Sequence, residues 1–299
     1  MLATSTIKRT KGDKTIETIA TVIAILFAIA CIVPFIYVIS TSFSSEKAIS
    51  DYGIRLIPKE FSLAAYSMLF KGKQIWQSYG VTIFVTLVGT ALSLIFSAMM
   101  AYPLSTGRLK LTGKINFFVY FTMLFSGGLV PTYLLISSYL KMNNTIWVFI
   151  IPGLISPWNM FLLRNFFSSI PASLSESARM DGASEMTILF KIILPVAKPA
   201  LATIGLFYAL GYWNEWFKAL LYVSKSSLYP LQFLIMRINK EIEAIQEAAR
   251  QGVSISTENL PDITMKMATA VVTVGPVVAF YPFVQKYFTS GLMVGSVKG

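Results

Sequence analysis

The chain has no histidine and a single cysteine, Cys31, among 299 residues. Intrachain disulfides, His/Cys metal sites and histidine-based catalytic triads are therefore excluded. Cys31 lies in an apolar run, where a small thiol packs as an ordinary apolar side chain. Charge is scarce too: 13% of residues are charged against 55% apolar, too little polar surface for a soluble globule of this length. The apolar residues form runs of about 20 or more, the length a helix needs to cross a hydrocarbon core of about 30 Å. A net charge of +11 would fit nucleic acid if it were gathered on one face. Here the basic residues are spread between apolar runs, so the expected surrounding is membrane lipid, with no nucleic-acid partner.

Six spans are expected, at about residues 16–40, 79–102, 115–139, 145–167, 200–222 and 263–288, making the chain an all-α polytopic membrane protein. The first run follows a basic N-terminus, yet it is too long for a cleavable signal and lacks a small-residue cleavage pattern, so it reads as an uncleaved span. Ser126, Gly127, Gly128 and Pro131 invite a break in the third span, and Pro152, Gly153 and Pro157 do so in the fourth. Such breaks are tolerated where neighbours or a cavity satisfy the freed backbone groups. Gly275-Pro276 sits mid-way along the sixth span. Six spans place both termini on one side. The Lys and Arg divide almost evenly between the two sides, but the short connections bearing Arg108, Lys110 and Lys114, and Arg164, Arg179, Lys191 and Lys198, are densely basic. Short loops weigh most in the positive-inside rule, which puts the termini, residues 1–15 and 289–299, in the cytoplasm.

The most specific stretch is ESARMDGASEMTILFKIILPVAKP, residues 176–199, in the inner loop 168–199. Ser173 and Glu176 have capping-box spacing, which predicts a short helix after Pro171. Asp181-Gly182 then ends it, glycine being free to take the left-handed conformation. A second helix follows: Met186, Leu189, Phe190, Ile193 and Leu194 form one apolar stripe, blurred by Ile188 and Ile192, and facing either a partner or the bundle. Pro195 and Pro199 mark its end or a kink.

In the outer loop 223–262, Leu231, Leu234, Ile235, Ile238, Ile242 and Ile245 form a helical stripe opposite Lys240, Glu241, Glu243, Glu247 and Arg250. Gln251-Gly252 would end that helix. It reads as lying on the membrane or on its own protein, or as meeting an external delivery protein. GRLKLTGK, residues 107–114, fails as a phosphate-binding loop: the glycine spacing is wrong, Ile115 follows Lys114, and no strand precedes it. Gly291 and Gly295 form GxxxG, but in a polar tail rather than within a span.

Glu176, Ala178, Asp181, Gly182, Ala183, Ile193, Leu194 and Pro195 match the EAA motif of ABC importer membrane subunits, with Ser177 in place of the usual first alanine. Residues 125–184 resemble the carbohydrate-uptake, maltose-type branch of these permeases throughout, closest to the oligosaccharide and lipopolysaccharide-named subgroup. Weaker similarity covers AYPLS, YWNEWFKALLYV and the tail GLMVGSVKG. The resemblance implies a type I ABC importer permease fold, in which the EAA loop is the coupling helix seated in a cleft of a cytoplasmic ATPase. It assigns ATPase coupling to Glu176, Ser177, Ala178, Asp181, Gly182, Ala183, Met186 and Phe190, and places Gly291, Gly295 and Lys298 at the ATPase interface. Glu176 is then a capping residue, an ATPase contact, or both. The implied partners are a second permease subunit in a heterodimer, two ATPase subunits and an extracytoplasmic solute-binding protein, at the bacterial cytoplasmic membrane. No cofactor is expected on this chain, ATP and Mg being expected on the ATPase.

A sugar route needs aromatic faces and hydrogen-bonding groups in a cavity. Tyr133, Trp158, Asn159, Trp213 and Asn214 supply them, although interfacial belts also account for tryptophans, and Glu215 could reach interfacial water. A non-sugar solute such as peptide, polyamine or phosphate is the near alternative, because the EAA motif is shared across importers. A membrane enzyme is the distant one, for which acid–base or metal machinery is lacking in the sequence.

Overall fold

The computed structural model describes residues 11–251 and 263–291, and the chain divides into two compact units. In the first unit, the apolar helix α1 (Lys11–Ser42) exposes nearly all of its side chains from Ile16 to Ile39 within this chain. Such a face is stable only against lipid or another apolar partner. The short helix α2 (Glu46–Tyr52) is capped by Ser45, whose hydroxyl accepts the Ala48 N–H at 3.1 Å, and it stops at Gly53 with φ of 72°. Phe43 stacks between Phe61 and Tyr66 at 5.6 and 5.0 Å, and the Tyr66 and Ser42 hydroxyls bond at 2.8 Å. Helix α3 (Ala64–Lys71) leads out of this unit.

The second unit is organised on the long helix α4 (Lys73–Ser105), which contains Pro103 near its end. After a basic turn, α5 (Thr112–Leu124) runs to Phe125. Gly128, at φ of 86°, starts α6 (Leu129–Leu134), which widens into a π-helical turn over Leu135–Tyr139. The chain bends by 110° between the two arms. Helix α7 (Trp147–Ile150) passes through a 3₁₀ turn at Pro152 to α8 (Pro157–Ser169), bent by 53°, with Ser156 as cap and Pro157 as first residue. Proline suits that position because its missing N–H would have no helical partner there.

Helix α9 (Ala172–Met180), α10 (Glu185–Ile188), a π-helical turn (Leu189–Ile193) and α11 (Leu194–Val196) form the expected coupling segment. Helix α12 (Lys198–Trp213) leaves it at 87°, and α13 (Phe217–Tyr222) follows a break at residues 214–216. Helix α14 (Leu231–Arg250) buries Leu231, Leu234, Ile235 and Ile242 of its predicted stripe and exposes Lys240, Glu241, Glu243 and Glu247. Its first N–H donates to the Thr82 hydroxyl at 2.8 Å, so this face is occupied by its own protein. Helix α15 (Ile263–Gly291) carries Pro276 and Pro282. In the first unit, Glu46 accepts the N–H groups of Ile263 and Thr264 at 3.0 and 3.1 Å and the Thr264 hydroxyl at 2.7 Å. That carboxylate serves the unsatisfied donors at the start of α15.

Among the described residues, α1 and α4 are each long and apolar enough to cross a membrane, and the bent pairs bring the number to at most five. One of those pairs is the coupling segment with α12. The expected sixth span falls on α15, of which Ile263–Ala279 is an apolar helix among the described residues. The all-α class holds; the count of six is not reached by this measure.

Two apolar clusters make up the core of the second unit. One joins Val85 of α4, Val148, Phe149 and Ile150 of α7, Tyr208 and Tyr212 of α12, and Phe233 of α14. The other joins Ala98, Ala101 and Tyr102 of α4, Met160, Leu163 and Phe167 of α8, and Ile188, Leu189, Ile193 and Ala197 of the coupling segment.

Candidate coupling site

Helix α9 starts at Ala172, directly after Pro171, with no side chain capping it. Ser173 therefore sits inside the first turn, and the capping box read from Ser173 and Glu176 does not form. The other end follows its sequence closely. The Gly182 N–H donates to the Arg179 carbonyl at 3.0 Å and the Ala183 N–H to the Ala178 carbonyl at 2.9 Å, with Gly182 at φ of 80°. This is a Schellman ending, which needs a left-handed residue where the glycine stands. Ser184 then caps α10, its hydroxyl accepting the Thr187 N–H at 3.2 Å.

The predicted stripe divides in two. Leu189 and Ile193 are buried together with Ile188, whereas Met186 and Phe190 are 51% and 42% exposed. Met186 in α10 and Phe190, four residues on, share the outer face, and the π-helical turn over Leu189–Ile193 breaks the regular period on which one continuous stripe depends. Of the other predicted coupling residues, Glu176, Ser177, Asp181 and Gly182 are exposed, while Ala178 and Ala183 are half-buried and pack on the second apolar cluster. Small side chains there let the elbow lie close to the bundle.

Met180 was not singled out by the sequence, yet at 88% it is an extreme among the exposed apolar side chains, and it stands at the tip of α9. The elbow thus has an apolar tip with polar flanks and an inner face seated on the bundle. A lone methionine before Asp-Gly gives no periodic signal, so only its position could have marked it.

A charged cluster also escaped the sequence reading. Glu185 Oε1 accepts from Arg179 Nε at 2.7 Å and from Arg108 Nη1 at 3.4 Å; Oε2 accepts from Arg179 Nη2 at 3.1 Å and from the Tyr102 hydroxyl at 2.7 Å. Hydrogen bonding from the Arg179 guanidinium lowers the Glu185 pKa from 4.5 to about 2; burial opposes the shift, and Tyr102 and the charges of Arg179 and Arg108 assist it. The same bond raises the Arg179 pKa. Clefts of about 360 and 370 Å³ flank the cluster, one lined by Ser175, Glu176, Arg179 and Met180, the other by Met99, Glu185, Met186 and Leu189. Arg179 and Glu185 are six residues apart, a spacing that brings side chains together only when a turn such as Gly182 intervenes.

The predicted pathway residues line neither cleft. Tyr133 stacks on Tyr222 at 5.6 Å. Trp158 is exposed and Asn159, its neighbour at the start of α8, is buried. Trp213 is half-buried at the end of α12, and Asn214 donates to the Leu210 carbonyl and accepts from Gln232. Glu215 pairs with Lys218 at 2.6 Å, and the Lys218 ammonium also donates to the Phe149 carbonyl at 3.2 Å, so Glu215 is held within the protein. Gly291 ends α15, and Gly295 and Lys298 lie outside the described residues.

A helical membrane bundle with broken spans and such an elbow seated on it has the type I importer permease fold. Residues 1–294 match the family described as binding-protein-dependent transport system inner membrane component, and the chain belongs to that family. It is 43% identical, over 92% of its length and 95% of the relative, to the polygalacturonan/rhamnogalacturonan transport system permease protein YtcP of Bacillus subtilis (strain 168). It is 41% identical to Protein LplC of the same organism, over 90% of each chain. A solved bacterial ABC transporter involved in the import of the acidic polysaccharide alginate contains a chain that matches with a TM-score of 0.82 and 34% identity, over 95% of this chain and 100% of that one. The chain is thus a transport subunit of a binding-protein-dependent system, not an enzyme.

Proposed function

We propose that this chain forms half of the translocation path of an ATP-driven importer for an oligosaccharide handed over by a solute-binding protein. The other half is a related permease subunit. ATP and Mg bind the two partner ATPase subunits, whose closure drives the elbow at residues 172–197. The observation that carries this reading is the elbow itself: its inner residues Ala178, Ala183, Ile188 and Leu189 are packed on the bundle, while Met180, Asp181, Gly182, Met186 and Phe190 face outward. Glu176 and Ser177 extend the same outward face. The basic side chains around the elbow support a cytoplasmic position for it and for both termini. Tyr133, Trp158, Asn159, Trp213 and Asn214 are the pathway candidates, and Gly291, Gly295 and Lys298 the tail contacts with the ATPase.

The sugar class is supported by relatives whose names refer to polygalacturonan, rhamnogalacturonan and other saccharides. Reconstitution of the chain with its partner subunits and binding protein in vesicles tests the assignment, using labelled acidic and neutral oligosaccharides beside peptides, polyamines and phosphate. ATP-dependent uptake of a saccharide is expected. Uptake of another solute with no saccharide transported would overturn the sugar class.

A further inference from the structure

We infer that Glu185 is a positioning residue that clasps the coupling elbow to the end of α4, making the elbow a stiff extension of the bundle. The inference rests on the coupling role proposed above, and goes beyond it by naming the group that holds the elbow in place. Its basis is the meeting of separate elements on one carboxylate. Arg179 belongs to α9, Tyr102 to the last turns of α4, Arg108 to the connection between α4 and α5, and Glu185 opens α10. Helix α9 needs such a tie, because Ser175 is its one buried residue and a cleft runs along its flank.

The chemistry suits a clasp. Guanidinium-to-carboxylate bonds with two parallel N–H donors fix orientation as well as distance. Two arginines share one acid here, so removing the acid leaves Arg179 and Arg108 as like charges on the two sides of the joint. An exposed ion pair by itself contributes little. Glu185 differs in that it also accepts the Tyr102 hydroxyl, whose ring is 5% exposed in the apolar cluster beneath. The acid thus links the outer surface to the core, and a push on the elbow reaches α4 through a short polar bridge.

Two measurements on the same variants test the clasp. Hydrogen exchange on the full chain in detergent reads the amides of residues 176–184; uptake per ATP in the assembled importer reads transmission. Glu185→Ala is expected to speed exchange of those amides about fivefold and to lower uptake per ATP by a similar factor, with the ATPase subunits still co-purifying. Glu185→Gln, which keeps one acceptor oxygen but replaces the other with an NH2 group and loses the charge, should fall between. In an Arg179→Ala/Glu185→Ala cycle the double variant should be no worse than Glu185→Ala alone, because the Arg179 contribution runs through that acid, whereas Arg179→Ala by itself keeps the Arg108 and Tyr102 contacts and should be milder. Tyr102→Phe removes a single donor and leaves the ring in place; a smaller change in the same amides is expected, and this variant carries the test if Glu185→Ala fails to insert. Unchanged exchange in the variants that insert overturns the clasp, as does faster exchange with uptake per ATP unaltered. The exchange arm needs no transport, so it stands apart from the coupling reading, whose failure would show as no ATP-dependent uptake by the unmodified importer.

Discussion

Gly182 offers a sharp separation of backbone cost from partner contact. It stands at φ of 80°, and a Cβ built on it would meet no atom of this chain within 4 Å. Bulk inside the chain is therefore not what excludes a side chain; the left-handed backbone is. An L residue with a Cβ loses about 1–2 kcal/mol there, asparagine and aspartate less because their short polar side chains bond locally, and β-branched residues more. One to two kcal/mol corresponds to about a 5- to 30-fold lower ratio of formed to unwound elbow. The series Gly182→Asn, Gly182→Ala and Gly182→Val should then lose protection of the Gly182 and Ala183 amides in that order. Coupled uptake in vesicles should fall in the same order while membrane insertion is unchanged. Gly182→Asp belongs with asparagine in backbone cost but adds charge beside Asp181, so a gap between Asn and Asp isolates the effect of charge from that of backbone; Asp is expected to uncouple ATP hydrolysis from uptake. Equal loss for Asn, Ala and Val, or a harmless Val, would refute the conformational argument.

Gly89→Ala would bring a Cβ to 2.8 Å from Tyr212 ring atoms, so thermal unfolding in detergent should show a loss of about 1–3 kcal/mol from overpacking. Tyr212→Phe, which loses the 2.8 Å bond to Ser93, should cost about 1 kcal/mol in the same assay. Glu46→Ala should leave the first N–H groups of α15 without their acceptor and destabilise that helix start by about 0.5–2 kcal/mol, read as faster exchange at residues 263–266. Met180→Asp, at a site 88% exposed, should change the stability of the isolated chain by less than about 0.5 kcal/mol and weaken co-purification of the ATPase. Acid should loosen the elbow in a defined window. The Glu185 pKa is depressed from 4.5 to about 2, so the clasp contributes fully above pH 4.5 and is lost as pH falls through that interval. Elbow exchange, corrected for intrinsic rates, should be flat at neutral pH and rise below pH 4.5.

What the sequence made legible were features written locally. Long apolar runs, the glycine that ends α9, the proline and glycine breaks and the stripe of α14 all depend on neighbours within a turn or two. What it hid depends on geometry set elsewhere. The π-helical turn at Leu189–Ile193 has no residue code of its own, and it breaks the 3.6-residue period from which a single stripe over Met186 to Leu194 was read. The Ser-x-x-Glu spacing at Ser173 looked like a cap because spacing alone does not say where a helix begins; Pro171 set the start two residues earlier. Arg179 and Glu185 pair across a bend, and the serines of α4 gained meaning only when α12 came alongside with its tyrosines.

Under the proposed coupling role, that pairing of α4 with α12 sets where a push on the elbow would be felt. The Ser93 and Tyr212 hydroxyls bond at 2.8 Å and those of Ser97 and Tyr208 at 2.7 Å, both buried in the bundle. Gly89 admits the Tyr212 ring, and a Cβ on Gly205 would lie 3.2 Å from Leu94. Hydroxyl pairs in such surroundings are costly to separate, because water does not reach them to replace the lost partner. The Tyr208 hydroxyl also accepts the Ser156 N–H at 2.9 Å, at the break before α8, so the same ladder ties in the bent fourth span. The elbow joins this assembly twice: covalently through α11 into α12 at the buried Ala197, and through Glu185 onto Tyr102 of α4. Since the two helices that receive the elbow are fastened to each other, the proposed coupling role predicts that displacing Met180 and Gly182 moves α4 and α12 as a pair instead of sliding one along the other. Movement of the pair is what that role requires for an ATPase outside the membrane to act on a path within it.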